Sequence, residues 1–180
     1  MPDRTLLSID VTETDKGREY WASRAWLSSQ EDVRAADVLI VPWENFRNDK
    51  PALFPHGTGD FYRELLAGLG TYRIAVAIDQ SEYEEVALHA DEFRFPTVFL
   101  TFVMLPIAMN LVAAKIDRLL SGPSPSAIVE MQVIVEGDRG QCLSIKYKGP
   151  PSGMVDTIIK QAEHCKPKVD RDEKQKHIKK

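Results

Sequence analysis

Two short stretches carry the residue types that chemistry needs. The first runs His56, Gly57, Thr58, Gly59, Asp60, with Glu64 just beyond, at the expected start of a helix. Unpaired backbone N–H groups at such a turn suit a phosphate or carboxylate. The plain alternative is that the glycines shape the turn, Thr58 caps the helix and Asp60 complements its dipole. The second stretch runs from Asp79 through Glu82 and Glu85 to His89. If residues 81–90 form a helix capped by Ser81, Glu82, Glu85 and His89 fall at i, i+3 and i+7 and share a face. Carboxylates beside an imidazole can move protons or hold a divalent ion, and the plain alternative is a solvated acidic face. The candidate catalytic residues are therefore Glu64, Asp79 and His89. The candidate ligand-binding residues are Trp43, His56, Gly57, Thr58, Gly59 and Glu82. No metal ligand set and no cofactor is assigned.

These residues gather in one place only if the elements between them alternate as strand and helix. Residues 17–29 have few helix breakers, with Trp21, Ala25 and Ser28 on one face. Residues 37–43 read as a buried strand ending at Pro42 and Trp43. A helix over 58–70, a strand over 72–79 and a short helix over 81–90 follow. Strand, helix, strand, helix is the pattern of parallel α/β units, whose ligands sit beyond the carboxyl ends of the strands. There Trp43, His56 and Asp79 would meet.

The turn at Gly57-Thr58 resembles that of nucleoside-processing Rossmann-like domains, in which a Gly-Thr turn leads into a helix bearing a catalytic glutamate. Here Glu64 falls six residues beyond Thr58, which departs from that pattern, and the activity is not carried over. A metal-dependent nuclease is disfavoured as well. The position two before Lys146 is Ser144 rather than an acid, and Asp138 sits in a turn. No Ser-His-Asp or Cys-His arrangement is spelled out, since Cys142 points off the apolar face of its strand.

Residues 95–114 form twenty positions without a charge, long enough as one helix to cross a bilayer. Pro96 and Pro106 favour a division instead. Pro96 precedes a β-branched and aromatic strand, and Pro106 opens a helix, where its missing N–H costs nothing. Val98, Leu100 and Phe102 are expected on one side of the sheet and Phe99 and Val103 on the other. Further on, residues 128–136 and 143–148 alternate between apolar and polar. A loop of Asp138, Arg139 and Gly140 pairs Val133 with Ile145, Val135 with Leu143, Glu130 with Lys148 and Gln132 with Lys146, with Gly140 left-handed. A last helix carries Val155, Ile158, Ile159 and Ala162 on one stripe.

The expected fold is three-layer α/β: a mostly parallel, Rossmann-like sheet extended by a C-terminal antiparallel hairpin and a final helix. It fills one domain over residues 1–165. Residues 166–180 hold seven Lys or Arg against three Asp or Glu and are expected to be disordered. The whole chain of 180 residues carries a net charge of −4, which offers no general attraction to nucleic acid except through that tail. Two cysteines without metal spacing, and no secretory-type apolar run at the start, suggest a cytoplasmic setting. The favoured function is a non-catalytic binding module or accessory subunit. It would take a partner protein, a second copy or a small anionic, nucleotide-like ligand. A nucleotide-directed hydrolase or glycosidase using Glu64 or Asp79, Glu82 and His89 is the alternative. A membrane-anchored form spanning 95–114 is the second.

Overall fold

The computed structural model of the protein describes residues 7–24, 26–27, 29–88, 92–120, 127–137, 140 and 142–165. His89, Asp138, Arg139 and the basic tail lie outside them. The chain begins with strand β1 (Ser8–Thr14), helices α1 (Arg18–Ala22) and α2 (Gln30–Ala35), and strands β2 (Val38–Val41), β3 (Trp43–Arg47) and β4 (Lys50–Pro55). Helix α3 (Thr58–Gly68) and strands β5 (Ile74–Val76), β6 (Glu85–Val86), β7 (Glu92–Arg94) and β8 (Thr97–Thr101) follow. Helix α4 (Leu105–Leu119), strands β9 (Ile128–Glu136) and β10 (Cys142–Gly149), and helix α5 (Met154–Ala162) complete it.

The main sheet has the order β1-β10-β9-β8-β2-β5, with β7 also paired to β9. It is mixed, which corrects the expected mostly parallel Rossmann-like sheet. β2 runs parallel to β5 but antiparallel to β8, while β8 and β9 are parallel. The long ladders of β1 with β10 and of β10 with β9 are both antiparallel. The physical reason lies between β5 and β8, where a parallel return would need a crossover helix. The helix expected over residues 81–90 does not form. A 3-10 turn, Gln80–Glu82, leads instead into β6, which pairs with β4 in a separate small sheet with β3. The helix expected over 17–29 is likewise cut to α1. Ser23 Oγ and Arg24 Nε both donate to the Tyr20 carbonyl, and side-chain bonds of that kind compete with the helical ladder.

Both faces of the sheet are covered. On one face Val38, Ile40, Val98, Leu100, Val133 and Ile145 meet α3, α4 and α5 through Phe61, Leu65, Met109, Val112 and Ile158. On the other, Leu39, Phe99, Ile134 and Cys142 meet Trp21, Ala22, Val33 and Ala36 from α1 and its neighbour α2. Cys142 does point away from the hairpin's first apolar face, but into this second core rather than into solvent.

Residues 95–114 divide as strand and helix, with Pro106 in the first turn of α4. Among the described residues no helix is long and apolar enough to cross a membrane. Val98 and Leu100 face one core and Phe99 the other, and Phe102 packs against the first. Val103 departs from expectation. The strand stops at Thr101, and Val103 is left 76% exposed in the turn before α4.

The hairpin pairs Val133 with Ile145, Val135 with Leu143, Glu130 with Lys148 and Gln132 with Lys146. Gly140 has φ +73°, and a Cβ added there would meet nothing within 4 Å. Gly140→Val should therefore act through left-handed strain alone. A loss of about 1–2 kcal/mol in urea unfolding, with an unchanged m-value, is the expected result.

Candidate functional site

The chain leaves β4 at Pro55 and turns into α3 through His56 and Gly57. Gly57 has φ +89°, a conformation that L side chains strain to adopt, and it serves as the helix N-cap. Thr58, expected to cap with its side chain, is fully buried and donates its hydroxyl back to the Pro55 carbonyl at 2.6 Å. The first-turn amides are satisfied by a residue from elsewhere in the chain. Gly57 N donates to Glu85 Oε2 at 2.9 Å and Gly59 N to Glu85 Oε1 at 2.8 Å. The Tyr83 hydroxyl donates to the same Oε1 at 2.6 Å, and His56 Nδ1 stands 3.5 Å from Oε2. The amides that the sequence offers to a small anion thus already hold a carboxylate of the chain itself.

Burial of Glu85 works to raise its pKa. The Tyr83 hydroxyl, the Gly59 and Gly57 amides and nearby His56 outweigh it and hold the carboxyl below its ordinary value. Tyr83 moves the other way: burial first, and then the carboxylate it donates to, push its phenol well above the usual range. Since the folded pKa of Glu85 is depressed, its contribution to stability is present above the unfolded value near 4.5 and fades as pH falls through the folded value. Glu85→Gln should cost about 2 kcal/mol at pH 7 in urea titrations, a charge-assisted bond having been weakened. That difference should shrink progressively below pH 4.5. A gap that stays constant down to pH 3 would refute the electrostatic part.

Of the candidate catalytic residues, Glu64 projects from α3 toward α4. Lys115 Nζ and Arg118 Nη2 each donate to its carboxylate at 2.8 Å. The Lys115 hydrogen bond, aided by both positive charges against partial burial, holds its carboxyl below the usual carboxylate range. It therefore stays charged at neutral pH and fastens two helices. Asp79 donates its amide to the Trp26 carbonyl at 3.1 Å and accepts from Glu82 N at 2.9 Å. Glu82 is exposed on the 3-10 turn. Because the 3-10 turn ends at Glu82 and Glu85 lies in β6, the two share no helix face, and His89 lies outside the described residues. The acidic cluster read from spacing is not assembled among the described residues.

The ligand-binding candidates divide between hollows. Trp43, His56 and Gly57 line one of about 360 Å³, with Phe93, Arg94 and Phe95 and with Lys115 and Leu119 of α4. It lies beyond the carboxyl end of β2, since Trp43 follows that strand after Pro42 and Phe95 and Pro96 lead into its antiparallel neighbour β8. A second hollow of about 490 Å³ adjoins it, sharing Trp43, Leu88, Arg94 and Phe95 and adding Phe46 and Lys146. Trp43 and Phe46 rings lie 5.2 Å apart, and Phe46, Phe93 and Leu119 are all exposed. Two of the cations in these walls are engaged, while exposed Lys146 makes no ion pair among the described residues. Arg94 faces Glu92 at 3.1 Å and Glu130 at 3.3 Å, and Lys115 faces Glu64. Thr58 and Gly59 line a third hollow on the other side of α3, and Glu82 lines none of the three.

Phe93, Arg94 and Phe95 were not among the sequence candidates. The alternation of Glu92 and Arg94 with Phe93 and Phe95 is a strand signal that would have placed Phe93 and Arg94 in β7, which pairs with β9, and Phe95 just past its end. Glu44 had no local signal. Its nearly buried carboxylate accepts from the Tyr20 hydroxyl at 2.7 Å and from Lys16 Nζ at 2.6 Å, with Arg24 at 3.6 Å. It pins the first residues of β3 to α1.

No protein-family model, curated protein or solved structure matches this chain.

Proposed function

We propose that the chain is a non-catalytic binding module, or accessory subunit, that takes a partner protein in the aromatic groove formed by the two adjoining hollows around Trp43. The observation that carries this reading is the grouping of exposed Phe46, Phe93 and Leu119 about Trp43, beyond the end of β2. Apolar surface rimmed by charged residues is the make-up of an interaction site, and aromatic anchors dominate the energies of such sites. Three arrangements favour a protein over a small anion here. The Gly57 and Gly59 amides are taken by Glu85, Arg94 faces two carboxylates, and Lys115 faces Glu64. A cytoplasmic location belongs to the same proposal and is supported by the low cysteine count, two in 180 residues, which spells out no disulfide framework.

The test has two arms. The partner captured from native lysate is identified and titrated against wild type, Trp43→Ala and Phe93→Ser. Each change should weaken binding about 30-fold or more, as for central aromatic anchors, with little change in melting temperature. Glu64→Gln should leave that affinity unchanged and alter stability by no more than about 1 kcal/mol, since its ion pairs are half exposed. Any nucleotide turnover that disappears in Glu64→Gln would instead establish the hydrolase and overturn the proposal.

A further inference from the structure

β5 ends the main sheet with its outer edge unpaired among the described residues. The direction of its peptide groups follows from its contact with β2. Val38 N donates to the Arg73 carbonyl at 3.1 Å and Ala77 N to the Ile40 carbonyl at 2.8 Å. Residues 73, 75 and 77 therefore turn their peptide groups toward β2, and Ile74 and Val76 turn theirs outward. The Val76 carbonyl accepts from Ile78 N at 2.8 Å. Ile74 N–H and C=O and Val76 N–H have no main-chain partner among the described residues.

These groups border a hollow of about 890 Å³ between α2 and α3. Tyr62 and Leu66 wall it from α3, Tyr72 stands at the start of the edge, and both Leu66 and Tyr72 are about 40% exposed. Arg73 lies at one end and makes no ion pair among the described residues. Arg63, at the other end near Gly59, pairs with exposed Asp60 alone. Asp32 is the acid in this lining.

We propose that the outer edge of β5 receives an extended segment of a partner protein as an added strand, with an acidic residue toward each end and apolar residues at alternate positions between. The backbone groups supply the pairing, alternate side chains settle against Tyr62 and Leu66, and the terminal acids meet Arg73 and Arg63. From Arg73 to Ile78 such a strand would span five or six residues at about 3.3 Å each. A lone edge strand is otherwise a liability, commonly blunted by lysine, proline or a bulge. The flanks of β5 carry arginines and an apolar trough instead. This surface is separate from the groove around Trp43 and stands or falls independently of it.

The test uses the full chain and a synthetic octapeptide with glutamate at each end and alternating valine and threonine between. Wild type should bind it, and the amides of Ile74 and Val76 should gain hydrogen-exchange protection on its addition. Ile74→Pro removes an outward N–H without touching the β2 ladder, so it should weaken binding at least about tenfold. Arg73→Glu should shift the preference from this peptide to a second one in which lysine replaces the glutamate facing residue 73. Binding that ignores Ile74→Pro, or an absence of protection at both amides, overturns the proposal. So does a concentration-dependent dimer of the protein alone that Ile74→Pro abolishes, for the edge would then serve a second copy. Should Ile74→Pro fail to fold, the exchange measurement on wild type decides.

Discussion

The carboxylate of Glu85 on the first-turn amides of α3 is the contact around which the candidate surfaces are arranged. A helix start leaves donors unpaired, and an anion there is favoured by both hydrogen bonding and the helix dipole. Here the anion arrives from β6, 26 and 28 residues away from the amides it meets. Holding Glu85 in place brings β6 onto β4 and lays the Tyr83 ring against Phe54, with centroids 5.0 Å apart. The groove around Trp43 opens on the His56 side of this clamp, and the trough along β5 opens on the Gly59 side. One ion position thus sets the inner boundary of two hollows.

That same contact explains why local reading failed where it did. Ser81 followed by acidic residues has the composition of a capped helix start, and propensity alone favours it. Tertiary interaction wins because Glu85 satisfies two amides and a phenol that would otherwise lack partners, while Val86 is buried beside Phe54 and Pro55. With no α-helix between β5 and β8 among the described residues there is no helical crossover, and β8 enters beside β2 in the opposite direction. Strand direction is a long-range property of this kind, and residues 37–43 and 97–101 look alike whichever way they run. The hairpin of β9 and β10 was legible because a period of two and a glycine turn determine its register locally. The division of residues 95–114 was legible because both prolines fall where strand and helix tolerate them. β1 had a signal in Ile9 and Val11, set among Asp10 and Thr12, but its partner β10 lies more than a hundred residues away.

The site was legible to a similar depth. The rule that ligands gather beyond strand carboxyl ends anticipates that Trp43, His56 and Gly57 line one hollow, because it depends only on which residues follow a buried strand. Residue type did less well as a guide to role. Glu64 has the chemistry of an acid–base group and the environment of a structural tie, and only the positions of Lys115 and Arg118, 51 and 54 residues on, distinguish them. A glycine turn at a helix start likewise does not announce whether its anion is internal or external.

Magnitudes decide which feature of the Trp43 groove would select an occupant. The ion pairs in its walls are partly exposed, and pairs of that kind are worth about 0–1 kcal/mol each, so exchanging Glu64 or Glu92 for a ligand's charge gains little. A single large aromatic ring buries roughly 150–250 Å² when covered, which at about 25 cal/mol per Å² is several kcal/mol before the cost of association. With Trp43 shared by the two hollows, Phe93 lining one and Phe46 the other, shape and apolar contact outweigh charge. For an occupant of such a groove, rim charges would contribute orientation and the rejection of mismatched partners rather than affinity. A partner that fits this groove is one that presents an apolar ridge first and complementary charge only at its margins.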